Sequence, residues 1–267
     1  KKKKKKKNYK FRKMAEKGKE TQEVNTANMS ELIHSKLNRD FIFRNKVQPT
    51  DVWYPVFSRK DINDMLEIFN GSDLSDLDLS QWDTSNVRNM ASAFKEASNI
   101  PESIGNWNTS RVTDMSWMFT LAPNIPESVG NWNTFNVSDM SRTFIGAQNI
   151  SEGIGNWNTE NVINMRSMFS EAKNIPENIG NWNTENVTNM SFMFNETENV
   201  PESIGNWNMS NVTKMYGMFA KARNIPESIS NWETSEFANM SDMFKRAKGV
   251  PKSVKQWYKA RNGTCKI

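Results

Sequence analysis

The chain has 267 residues, 36% of them hydrophobic, and its ten Trp, fifteen Phe and sixteen Met concentrate the apolar volume in a few large side chains. One cysteine, Cys265, excludes an intramolecular disulfide and a cysteine-based metal cluster, and one histidine, His34, excludes a histidine-centred triad anywhere else in the chain. The formal charge of +5 is uneven: residues 1–20 carry twelve Lys/Arg and two Glu, leaving 23 basic against 28 acidic residues from Thr21 onward.

The basic stretch comes first. Lys1, Lys2, Lys3, Lys4, Lys5, Lys6, Lys7, Lys10, Arg12 and Lys13 repel one another and have few apolar neighbours, which predicts an unstructured tail over residues 1–27. Such a tail offers a polyanion site, for nucleic acid or an anionic membrane, whose affinity would fall with salt. Residues 28–64 are expected to form an N-terminal cap region, with His34 an ordinary residue of that cap. No apolar run is long enough to span a bilayer.

Trp82, Trp107, Trp132, Trp157, Trp182, Trp207, Trp232 and Trp257 then recur every 25 residues. A unit this short cannot bury a core alone, so residues 65–257 are predicted to stack as an eight-unit repeat solenoid, with residues 258–267 a C-terminal cap or tail. Leu74-x-x-Leu77-x-Leu79-x-x-Trp82 has the spacing of a leucine-rich-repeat strand, which Ile175–Trp182 shortens to a few residues around Ile179 because Pro176 cannot donate to a ladder. Met115, Met118, Phe119 and Ala122 fall at i, i+3, i+4 and i+7, the spacing of a short helix with Thr113 as its N-cap, and the stripe returns at Met165, Met168, Phe169, Ala172. The predicted fold is therefore an α/β solenoid, leucine-rich-repeat-like, with one short parallel strand and one short helix per unit. Between Trp and helix, segments such as Thr109–Thr113 carry turn residues. The valines at 87, 112, 137, 162, 187 and 212, with Phe237 in the last unit, are expected to fill a corner of the core. Gln81, Asn106, Asn131, Asn156, Asn181, Asn206, Asn231 and Gln256, each preceding a Trp, are expected to form an amide ladder. Small size, rather than a positive φ, explains Gly105, Gly130, Gly155, Gly180 and Gly205.

The unit Trp-Asn-Thr-x-Asn-Val-Thr-x-Met-Ser-x-Met-Phe at Trp182–Phe194, and Trp82-Asp83-Thr84-Ser85-Asn86-Val87, resembles the mycoplasma-type surface repeat proteins, relatives of the BspA-like leucine-rich-repeat family. That resemblance spans about three quarters of the chain. It implies bacterial surface exposure, often through a lipid anchor, and adhesion to host proteins or antigenic variation.

Chemistry is harder to find. The carboxylate pairs Asp76 with Asp78 and Asp61 with Asp64 fall where exposed faces are expected, and there is no phosphate-cradling glycine loop. A non-enzymatic binding module without cofactor or metal is the expectation, and positions that vary between units indicate where a partner would sit. Trp117 aligns with Arg142, Ser167 and Asp242; Phe192 shares that column; Tyr216 aligns with serines at 116, 141 and 191; Phe135 aligns with Ser110 and Glu160. Aromatics at positions freed from packing are candidate partner-binding residues for a host or extracellular protein. Nucleic acid or anionic membrane binding through the tail, and a variable coat repeat without fixed ligand, are the alternatives; the solenoid itself is expected to be monomeric or weakly self-associating.

Overall fold

The structure is a computed structural model that describes residues 64–262 except 76, 78 and 81; the basic tail and all of the 28–64 cap but Asp64 lie outside the described residues. Each 25-residue unit is one coil, and successive coils touch through parallel bridges in strict register, Asp64 to Asn89 to Asp114 to Asp139 to Asn164 to Asn189 to Lys214 to Asn239.

Packing follows the sequence pattern closely. Phe94, Phe119, Phe144, Phe169, Phe194 and Phe219 are fully buried and stack face to face, with neighbouring centroids 5.3–5.8 Å apart from Phe69 to Phe244. A second pile runs beside it: Trp82–Trp107, Trp107–Trp132, Trp132–Trp157 and Trp182–Trp207 stand 6.0–6.5 Å apart. From Trp107 to Trp257 each indole reaches back one coil, as Trp132 Nε1 does to the Ile104 carbonyl at 2.8 Å, so these rings are buried without an orphaned donor. Buried Thr109, Thr134, Thr159 and Thr184 donate to the next coil's carbonyls at Asn133, Asn158, Asn183 and Asn208.

The local elements differ from those expected. The segment around Ile179 is a 3₁₀-helix, Glu177–Asn181, and its counterparts are Glu102–Asn106, Glu127–Asn131, Glu152–Asn156, Glu202–Asn206 and Glu227–Asn231. Val112–Ala122 is a chain of turns rather than a helix: Met118 N–H donates to Met115 and Ala122 N–H to Phe119, with Trp117 and Leu121 both at φ +59°. Alternate amides leave the coil entirely, Met115, Trp117, Phe119 and Leu121 donating to the carbonyls of Asp139, Ser141, Thr143 and Ile145. The spacing of the rings gives the reason. Packed helices need 8–10 Å between axes, so phenylalanines stacked below 6 Å leave no room for one helix per coil. Thr113 accordingly caps nothing; its hydroxyl donates to the Arg88 carbonyl of the preceding coil.

Two further expectations change. The amides at Asn106, Asn131, Asn156, Asn181, Asn206 and Asn231 face solvent, and the side-chain amide ladder lies instead along Asn124, Asn149 and Asn174, with Nδ2 to Oδ1 distances of 2.8 and 3.0 Å. The valines are buried in their corner, but Phe237 is 78% exposed. In the last coil the turn slips by one residue, Ala238 N–H donating to Ser235 where Val187 donates to Thr184, so Ala238 packs against the core and Phe237 points outward. The glycines preceding each Asn-Trp have no positive φ, and a Cβ there would collide with the neighbouring coil, as at Gly180 against Ser203, so small size is the explanation.

The stack ends on the one α-helix among the described residues, α1 (Lys252–Asn262), which runs through the boundary expected at residue 257. Trp257 and Tyr258 turn their rings edge-on to Trp232 and Phe244, at interplanar angles of 74° and 83°, and Arg261 donates to Thr234. Edge-on rings from a helix cover the faces of the last stacked pair, which a further coil would otherwise occupy.

Candidate functional site

The turn chain that replaces the expected helix carries two columns of positive-φ residues, in which Trp117 and Leu121 are exposed, Arg142, Phe192 and Asp242 half-buried, and Ser92, Ser167, Gly146 and Gly217 buried. One such column is Ser92, Trp117, Arg142, Ser167, Phe192, Gly217 and Asp242, the other Glu96, Leu121, Gly146, Glu171, Glu196, Lys221 and Arg246. Side chains in these columns are set by neither helix nor sheet packing, which is why they vary between units.

Of the four candidate aromatics, three form a strip: Trp117 and Phe192 stand in the first column, and Tyr216 borders it, in the column of Ser116, Ser141 and Ser191. Trp117 is 37% exposed, Tyr216 36%, and Phe192 is half-buried with its ring 5.0 Å from Tyr216 in an edge-to-face pair. Phe192 has room because residue 217 is glycine: a Cβ there would lie 2.7 Å from Phe192 Cε1, and Gly146 makes the same space for Leu121. Tyr216 Oη donates to Asp242 Oδ2 at 2.9 Å, and Lys245 Nζ donates to the same oxygen at 2.9 Å. These bonds, that from Lys245 first and that from Tyr216 second, hold the Asp242 carboxyl below its ordinary pKa, and the Asp242 carboxylate raises the Lys245 ammonium. Phe135 is exposed but sits apart, on the turn between the Trp and Val columns, and makes no ring contact with the others among the described residues.

Two residues that a search for aromatics passes over complete the strip. The Arg142 guanidinium lies 4.7 Å from the Trp117 ring centroid, and the Arg166 guanidinium 5.7 Å from that of Phe192. Their backbones are joined directly, Arg142 N–H donating to the Arg166 carbonyl at 2.8 Å. Burial, and then the charge of Arg166, lower the pKa of Arg142, while Asp139 acts against them. The signal was in the alignment of units, where an arginine replaces Ser92 or Ser167 in one column and Ser141 or Ser191 in the next.

Other chemistry is sparse. Among the described residues no three His, Cys, Asp or Glu side chains gather as a metal site, and no helix is long and apolar enough to cross a membrane. The polyanion candidates Lys1, Lys2, Lys3, Lys4, Lys5, Lys6, Lys7, Lys10, Arg12 and Lys13 lie outside the described residues.

The class defined by this geometry is a stack of in-register 25-residue coils bearing a variable outer strip. The chain belongs to the family described as Mycoplasma protein of unknown function, DUF285, whose model matches it twice in tandem, over residues 36–154 and 138–257. No curated protein matches the chain.

Proposed function

We propose that this is a non-enzymatic protein-binding module, displayed at the surface of a mycoplasma-type cell, that holds an extracellular host protein on one lateral face of a leucine-rich-repeat-like solenoid. The observation that carries the reading is the strip of Trp117, Phe192 and Tyr216, aromatic side chains at positions where packing asks for none. Aromatics held on a rigid frame supply large contact area at low entropic cost, the usual material of binding hot spots. The shared parallel ladder through Asp64 to Asn239 supports the solenoid reading, since every coil then fixes the next.

The test is capture of matrix proteins and host cells by the immobilised full chain. Its variants are the triple replacement Trp117→Ser, Phe192→Ser, Tyr216→Ser and a deletion of residues 1–20. Ser already occupies these columns at 92, 167, 116 and 141, so the triple variant should keep its fold. Loss of capture in the triple variant, with capture kept after the deletion, is the expected result. Equal capture by wild type and triple variant removes the aromatic site. Loss only on deletion hands the function to the basic tail and a polyanionic surface, a reading that rests on the twelve basic residues in the first twenty.

A further inference from the structure

We propose that Arg142 and Arg166 form a carboxylate clamp, flanked by Trp117 on one side and Phe192 with Tyr216 on the other, that takes a short extended acidic segment of a partner protein. The inference rests on the lateral-face reading above and gives its partner a chemistry.

The two arginines sit in adjacent coils with their backbones hydrogen-bonded, and their side chains part along the stack, Arg142 toward Trp117 in the coil before and Arg166 toward Phe192 in the coil after. A guanidinium lying over a ring keeps its edge N–H groups directed past that ring, and neither of these two donates a side-chain hydrogen bond within the described residues. Among the described residues no carboxylate forms an ion pair with either, Asp139 acting on Arg142 only at longer range; the ion pairs there are Lys95–Glu96, Lys221–Glu196 and Lys245–Asp242. Like charges on neighbouring coils, with Arg142 half-buried and Arg166 exposed, are relieved by a bound anion, and a planar fork suits a carboxylate bidentately.

Length and field select the partner. From the Trp117 coil to the Tyr216 coil is four steps of 5.5–5.8 Å, roughly 23 Å, the span of about seven residues of extended chain at ~3.3 Å each. Alternation in such a chain puts residues i and i+2 about 7 Å apart on one face, and the glutamates of Glu-x-Glu, splaying outward along the stack, follow the parted arginines while apolar residues at either end reach the rings. A long polyanion is disfavoured because Asp139 stands beside Arg142, Asp242 closes the far end of the strip, and the chain from Thr21 onward carries 28 acidic against 23 basic residues.

The experiment is calorimetric titration of the full chain with the peptide Ac-Leu-Ala-Glu-Ala-Glu-Ala-Leu-amide, its Gln-for-Glu counterpart and a heparin oligosaccharide. Proteins are the wild type, Arg142→Ser with Arg166→Ser, Arg166→Ser alone, and the aromatic triple variant. Serine stands in both arginine columns of neighbouring coils, so the fold is retained, and circular dichroism checks it. Expected are binding of the acidic peptide by wild type, none of the Gln peptide, and a Kd weakened roughly tenfold or more in the double variant, with Arg166→Ser between. Equal binding of the two peptides, an unchanged Kd in the double variant, no acidic-peptide binding at all, or binding of heparin alone each overturns the clamp. The two readings separate cleanly. Acidic-peptide binding lost with the arginines but kept in the aromatic triple variant sinks the aromatic face and leaves the clamp, whereas the reverse pattern leaves the aromatic face and sinks the clamp.

Discussion

Replacing Phe169 by Ala removes a ring from the middle of a pile rather than from a generic core. Phe169 has no exposed surface and lies between Phe144 at 5.5 Å and Phe194 at 5.8 Å, with Trp182 at 5.9 Å beside it. Large-to-small replacement of a buried Phe costs about 3–5 kcal/mol, and the loss of three stacked ring pairs, about 0.5–1.5 kcal/mol each beyond area, places this position at the upper end. Phe244 is the internal control, since it has one stacked neighbour, Phe219 at 5.6 Å, and an edge-on Tyr258 at 5.2 Å. Phe244→Ala should therefore cost less, by about 1 kcal/mol. Urea denaturation followed by circular dichroism gives the two values. Amide exchange should show the Phe169→Ala losses centred on the coils bearing Phe144 and Phe194, because stacked repeats lose stability by nearest neighbours. Equal costs at the two positions, or exchange that accelerates uniformly from Met65 to Tyr258, would refute the idea that the ring pile is what couples one coil to the next.

Other perturbations test other parts. Trp157→Phe keeps an aromatic ring but strips the Nε1 donor from the buried Val129 carbonyl, 2.9 Å away, and should cost about 1–3 kcal/mol by the same denaturation assay; no loss would mean that the indole ladder contributes only through stacking. Gly217→Val forces a branched side chain to φ +60° and against Phe192, and a cost below about 1 kcal/mol would contradict both the strain and the contact. Glu171 also sits at φ +60°, in a column that carries Gly at 71 and 146; Glu171→Gly should change stability by less than about 1 kcal/mol in either direction, relief of strain offsetting the freer unfolded chain, and a larger loss would show that the column depends on its side chains. Asp242 is held below its ordinary pKa, so its contribution is present above the unfolded value and fades as pH falls through the folded one. Tyr216→Phe removes one of the two donors and should move the Asp242 carboxyl titration, followed by carbon NMR, upward; an unmoved titration would mean that the Tyr216 bond is not formed in solution.

Which side chains are buried was legible in the sequence, and how the backbone carries them was not. Met115, Met118, Phe119 and Ala122 are all buried, as their i, i+3, i+4, i+7 spacing indicates, yet they ride on overlapping four-residue turns. A turn chain of period near four and a helix of period 3.6 bury the same stripe over seven residues, so periodicity reports the buried face and is silent on where the amides go. The distance between neighbouring Phe rings decides that question, and it belongs to the stack rather than to any one unit. The asparagine columns mislead for a related reason. Each unit repeats several amides, and only the geometry between coils tells that Asn149 bonds Asn124 whereas Asn156 faces water.

The same backbone explains why the candidate site lies where it does. A helix would have placed Trp117, Arg142 and Phe192 on a surface whose neighbours one turn away constrain them. In the turn chain they occupy positive-φ positions, where each non-glycine residue carries a conformational cost of about 1–2 kcal/mol, recovered through the amides that flanking residues send to the next coil. Because the coil meets that cost whichever side chain is present, the column holds Ser, Trp, Arg, Phe, Gly and Asp with an unchanged backbone from Ser92 to Asp242. Variation in the strip thereby leaves the backbone path unchanged, although a large side chain such as Phe192 or Leu121 requires a glycine in the next coil, at 217 or 146. Core residues such as Phe169 hold the coils in register, and the residues that project from the strip are left to answer to a partner.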